Sequence, residues 1–158
     1  MAKLGSKIAP IGTSPFIRMC IASPSGWGKT VFGGTARKAL FLTTDPEGAM
    51  SAKMFGSTAK EWPIADWPDL NDAYRYMRDE GCDIYDWLII DNATEADVFA
   101  LEEAVAVAKS KDATRDDFVP ARNDYLRSQI AFIQMVKKFN ALPINILWTV
   151  HTKTREDA

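Results

Sequence analysis

The chain has 158 residues, of which 47% are hydrophobic and 25% charged, enough to bury one sizeable core as a single globular domain. Its 19 Lys and Arg against 21 Asp and Glu give a formal net charge of −2, which excludes a polybasic nucleic-acid binder and leaves only local contacts of that kind. Apolar runs are strand-sized and the N-terminus lacks a signal pattern, so no membrane association or secretion is expected and Cys20 and Cys82 read as reduced cytoplasmic thiols.

Residues 1–15, rich in Gly, Pro, Ser and Lys without apolar periodicity, are expected to form a flexible leader, and residues 16–158 the core. Phe16 to Ala22 is the first strand candidate. Ser23 to Thr30 follows as a loop, then a short helix weakened by Gly33 and Gly34, and then the apolar run Ala39 to Thr44. Strand, loop, helix and strand make a βαβ unit. Residues 45–66 are irregular, with Trp62 and Ile64 able to form a short extra strand.

From Asp69, taken as N-cap, a helix with Leu70, Ala73, Tyr74 and Met77 on one face should run to a C-cap at Gly81. Trp87 to Ile90 is continuously apolar and closed by Asp91, as in a strand covered on both faces. Thr94 is the expected cap of a helix to about Lys109. The charged segment 110–124 should be a mobile connection. A longer helix then follows, with Leu126, Ile130, Ile133 and Val136 as its buried stripe and Arg127 and Gln134 toward solvent. The apolar strand INILWTV ends at His151. The pattern is α/β with a mostly parallel sheet and helices on both faces.

Ser23-Pro24-Ser25-Gly26-Trp27-Gly28-Lys29-Thr30 fits G-x-x-x-x-G-K-[ST] at every fixed place except the first, where Ser23 replaces Gly. Such a loop must turn tightly with its amide hydrogens inward, which Gly26 and Gly28 permit. Lys29 can reach the β- and γ-phosphates of ATP, and the Thr30 hydroxyl is the usual Mg2+ ligand. An apolar strand before the loop and a helix after it give the motif the context its chemistry requires. Asp91, at the end of a buried strand, fits the second metal-site position. The other reading, a helix-capping acid, is served more naturally by Thr94.

Hydrolysis needs a group to orient or deprotonate water. Glu47, beyond the second strand, is preferred to Glu95 in the first turn after Asp91, because ligands gather at the carboxyl ends of parallel strands. His151 is the only histidine. It is either a polar strand terminus or a sensor of the terminal phosphate.

The set Ser23 to Thr30, Asp45-Pro46-Glu47-Gly48, WLIID ending at Asp91 and the strand ending at His151 resembles the P-loop ATPases of the RecA-like type, closest to the phage single-strand annealing ATPases. The likeness spans Phe16 to about His151. It implies that Glu47 activates water, that His151 is the sensor, and that the sensor strand lies between the phosphate-loop and Asp91 strands. It also implies homo-oligomers, rings or filaments, and single-stranded DNA along loops that here carry Lys109, Lys111, Arg115, Arg122, Lys153 and Arg155. Family members usually continue beyond the sensor, whereas this chain ends seven residues after His151, which reads as a truncated core. The activity expected is that of an ATPase in recombination, annealing or repair. The alternatives are a P-loop kinase, with 109–122 as its lid, and a nucleotide-gated assembly protein with little hydrolysis. A phage-encoded protein of this kind would work in the cytoplasm of an infected bacterium.

Overall fold

A computed structural model describes residues 12, 14–45, 47–116 and 119–152. Its centre is a five-stranded sheet, all parallel, in the order β1-β5-β4-β2-β3. The strands are β1 (Arg18–Ser23), β2 (Ala39–Thr43), β3 (Lys60–Pro63), β4 (Trp87–Asp91) and β5 (Asn145–His151). The helices are α1 (Lys29–Gly34), α2 (Met50–Met54), α3 (Trp67–Tyr76), α4 (Cys82–Ile84), α5 (Ala93–Lys111) and α6 (Arg122–Asn140). The stretch Met77–Gly81 joins α3 to α4 as a wider π turn. Among the described residues no helix is long and apolar enough to cross a membrane.

Alternation along the strands assigns the two faces. On one, Phe41, Ile89 and Leu147 pack with Ala39 and Ala52 under α1 and α2. On the other, Leu40, Leu42, Leu88, Ile90, Ile146 and Trp148 meet side chains of α3, α5 and α6. The second is the larger core, and in it Phe139 stands edge-on to both Tyr74 and Trp148, with ring centroids 5.4 and 5.9 Å away. Trp87–Asp91 is covered on both faces, as its unbroken apolar run requires.

The glycines that weaken α1 as an isolated helix are what let it pack. A Cβ on Gly34 would stand 2.7 Å from that of Ala52, and one on Gly33 would stand 3.2 Å from the Phe41 ring. A larger residue at either place forces α1 off α2 or off the sheet. The first strand begins two residues later than its apolar run, at Arg18. The guanidinium of that residue donates to the carbonyls of Asn140, Leu142 and Ile144, tying the start of β1 to the turn before β5.

Several local expectations are corrected. Asp66, not Asp69, caps α3 by accepting from the Asp69 N–H at 2.8 Å, and Asp69 accepts in return from Ala65 N. Trp67 and Pro68 thus open the helix, Pro at a first-turn position where its missing N–H costs nothing. Gly81 is not a C-cap; it is buried in the π turn, where a Cβ would collide with Met77. Asn92, not Thr94, caps α5, its side chain accepting from Glu95 N at 2.8 Å.

The segment expected to be mobile is partly helical and partly tied down. Ser110 and Lys111 belong to α5, Asp112 accepts from Thr114, and Arg115 pairs with Asp124; residues 117 and 118 lie outside the described ones, as do 1–11 of the expected leader. In α6 the expected stripe is reversed. The buried positions are Asp124, Ser128, Met135 and Phe139, while Leu126, Ile130 and Ile133 face outward and only Val136 is partly covered. Arg127 and Gln134 are exposed, as expected. The reason lies in α5, which buries Ala93, Ala96, Ala100, Ala104 and Ala108. α6 packs along this helix, and small side chains permit a close approach of the two helices.

Asp124 fixes the N-terminal end of α6, accepting from the Arg115 guanidinium and from Ala121 N. These donors, the guanidinium first, hold its carboxyl below the usual carboxylate range. A group with a lowered native pKa stabilises the fold above its unfolded value, about 3.9, and loses that contribution as pH falls through the native one. Asp124→Asn should therefore lower the thermal unfolding midpoint at pH 7, and the gap to wild type should close below about pH 4; a gap independent of pH would remove the ion pair as its cause.

Candidate nucleotide-binding site

The carboxyl ends of β1, β4 and β5 meet the start of α1 in a cleft of about 690 Å³. Gly26 and Gly28 turn the loop with φ of 80° and 79°, a left-handed conformation that favours glycine, and nothing stands within 4 Å of a Cβ at either. The constraint at these two positions is conformational, not steric. Ser23, where the motif has Gly, keeps a negative φ and carries its side chain at no backbone cost.

Lys29 is 6% exposed. Its ammonium donates to Ser23 O and Pro24 O at 2.8 Å each and to the Ser23 hydroxyl at 3.2 Å. All three of its protons are thus met by oxygens of the loop it closes. The charge is buried against these loop oxygens, and the oxygens of an incoming phosphate would replace them as acceptors of the ammonium.

Asp91 ends β4 at 4% exposure. It lies in the same alternation as Ile89, so its carboxylate points to the face that carries α1. There Oδ2 accepts from the Thr30 hydroxyl at 2.5 Å, and Oδ1 accepts from the Thr149 hydroxyl at 2.6 Å. Two hydroxyls from two elements therefore orient one carboxylate. Behind it, Thr44 Oγ1 accepts from Asn92 N at 2.9 Å and donates to Asn92 O at 3.1 Å, locking the end of β2 to the turn after β4.

The pair Thr30 and Asp91 fits Mg2+. P-loop sites hold that ion with one hydroxyl, one carboxylate, phosphate oxygens and water, not with a cage of acids. Among the described residues there is no cluster of three or more His, Cys, Asp or Glu able to hold a metal by itself. The ion would supply charge neutralisation between the β- and γ-phosphates.

His151 lines the cleft and sits beside Ser23 in the pairing of β1 with β5. Its backbone N–H donates to Thr94 Oγ1 at 3.0 Å, so the threonine expected to cap α5 instead anchors the end of β5. Glu47 is not brought to this cleft. It is exposed and lines the neighbouring one with Lys53, Lys60 and Glu61, whereas Asp45 faces the phosphate loop. Pro46, between them, lies outside the described residues. Glu95 stands in the first turn of α5, outside the lining of the cleft.

Thr149, Thr44 and Asn92 are the site residues the sequence reading did not single out. For Thr149 a signal existed: in β5 it shares the period of two with Leu147 and His151, hence the face toward α1. The outer rim of the cleft is aromatic, with Trp27, Phe32 and Phe55 all exposed.

The parallel sheet and this loop together define a P-loop nucleotide-binding protein. The chain belongs to the AAA domain family, whose model matches residues 16–158. That family is one of nucleotide-binding ATPases. No match is found among curated proteins.

Lys29→Ala should weaken ATP binding at least about 100-fold, since charge-assisted hydrogen bonds are worth ~1.5–3 kcal/mol each, with the unfolding midpoint retained. Undiminished affinity in a titration would remove Lys29 from the site. Thr149→Val keeps the shape but frees one oxygen of Asp91; the Mg2+ dependence of ATP binding should then shift to higher metal concentration, and an unchanged dependence would leave Thr149 a purely structural role.

Proposed function

We propose that the protein is an ATP-hydrolysing switch or motor of phage-type DNA recombination, single-strand annealing or repair, built on a RecA-like core. The observation that carries the ATP-dependent part is the convergence of a buried Lys29, the Thr30 hydroxyl and the Asp91 carboxylate in one cleft. The RecA-like reading is supported by strand order, because β5, which ends in His151, lies between β1 and β4.

In this reading the loop 23–30 grips the triphosphate, Thr30 and Asp91 hold Mg2+, and the aromatic rim stacks the base. Glu47 activates the attacking water by the family resemblance, although Asp45 is the acid that lines the cleft. His151, tied through its backbone to α5, reports the state of the terminal phosphate to that helix and to the segment following β5. Copies associate as rings or filaments.

Single-stranded DNA is the proposed partner, and the residues for it are Lys109, Lys111, Arg115 and Arg122. Arg115 is engaged with Asp124, which weakens the patch. Lys153 and Arg155 lie outside the described residues.

Phosphate release from ATP should rise when single-stranded DNA is added. Glu47→Gln should lower it at least about 100-fold while nucleotide still binds. If Asp45→Asn carries that loss instead, the water-activating role passes to Asp45. Transfer of phosphate to an added nucleotide would establish a kinase, and ATP-dependent assembly with negligible turnover would establish a gated assembly protein.

A further inference from the structure

The three oxygens that receive the Lys29 protons are not equivalent. Ser23 O and Pro24 O are main-chain carbonyls, each 2.8 Å from the ammonium. Ser23 O also accepts from Thr152 N at 3.1 Å, which ties it to the end of β5. Neither carbonyl can turn away unless main chain moves with it, and the Pro24 ring restricts the backbone between them. The third acceptor, Ser23 Oγ, is the most distant at 3.2 Å. It swings about a single torsion.

That third acceptor is a departure from the motif. Gly at this place would offer the lysine a carbonyl and nothing more. Ser23 adds a hydroxyl, whose own proton goes to Pro24 O at 3.3 Å, leaving its oxygen to accept from Lys29. Lys29 lines the nucleotide cleft, whereas Ser23 and Pro24 stand outside its lining. The ammonium is thus drawn back from the cleft by the loop, and at 6% exposure little water competes for its protons. Burial is what gives the hydroxyl weight. On an open surface, water would take its place at almost no cost.

We propose that the Ser23 hydroxyl is a built-in competitor of the triphosphate for Lys29. It holds the third proton of the ammonium when no phosphate is bound and yields that proton when a phosphate oxygen reaches Lys29. Breaking this contact offsets part of the binding free energy, so the loop grips nucleotide less tightly than one with Gly at the same place. As nucleotide leaves, the hydroxyl recaptures the ammonium, which hastens release. Ser23 acts through Lys29, as a positioning residue. The inference rests on the reading above that the loop 23–30 grips the triphosphate.

The experiment is a calorimetric titration of the full chain with ADP and with a nonhydrolysable ATP analogue, both with Mg2+, the unfolding midpoint of each variant being measured alongside. Ser23→Ala removes the hydroxyl and keeps the Cβ. It should bind the analogue about tenfold more tightly than wild type, which is ~1.4 kcal/mol and the size of one hydrogen bond. ADP should leave it more slowly by a similar factor. Ser23→Gly, which restores the motif, should move in the same direction, and Ser23→Thr, which keeps a hydroxyl on the same carbon, should bind as wild type does. In a Lys29→Ala background Ser23→Ala should change nothing, since the hydroxyl then has no ammonium to hold. Affinity that is unchanged or weaker in Ser23→Ala would overturn the proposal, as would a gain of the same size without Lys29. Both outcomes leave the ATP reading in place so long as wild type binds the analogue. A wild type that binds neither nucleotide removes that reading and this inference with it.

Discussion

The site is organised around the carboxylate of Asp91. It ends the strand that lies between β5 and β2, it is buried, and it accepts one hydroxyl from the first turn of α1 and one from β5. A buried carboxylate without such donors would pay a large desolvation cost. Here the donors that satisfy it also fix where the loop of residues 23–30 stands relative to the sheet, so one arrangement solves a stability problem and orients the carboxylate proposed to hold Mg2+. The Thr44 and Asn92 pair does the same one layer behind, holding the turn after β4 against the end of β2.

The short helix after the loop follows from the same requirement. Its start must lie close to the strand ends, and Gly33 and Gly34 remove the side chains that would hold it away from Phe41, Ile89 and Ala52. Read locally, two adjacent glycines are a weakness in a helix. In the fold they exchange helix propensity for proximity, and the packing of α1 against the sheet and α2 makes up the loss.

Much of the site is local chemistry and was therefore legible before folding was considered. Gly26, Gly28, Lys29 and Thr30 are fixed by the geometry of one turn, and Asp91 is marked by the buried run that precedes it. The partners that orient these groups were not legible, because Thr149 is 58 residues from Asp91 and Thr44 is 48 from Asn92. Glu47 and Asp45 show the limit from the other side. Two acids in one turn have equivalent sequence settings, yet the backbone sends one to the phosphate cleft and the other to its neighbour.

The helical hairpin draws the same boundary. Periodicity in α6 correctly marks Leu126, Ile130 and Ile133 as sharing a face, because spacing along a helix fixes relative orientation. It cannot say which face meets the rest of the chain. That depended on the run of alanines in α5 and on the anchoring of Asp124 by Arg115, both of which involve residues outside α6 itself. The amino-acid order by itself determined the alternating strands and helices, the phosphate loop and the acid at the end of β4, all of which follow from interactions within a turn or a strand. Only the tertiary structure decided which hydroxyls hold that acid, which acid faces the cleft and which side of α6 is left outside, since each depends on packing between elements that local propensity does not encode.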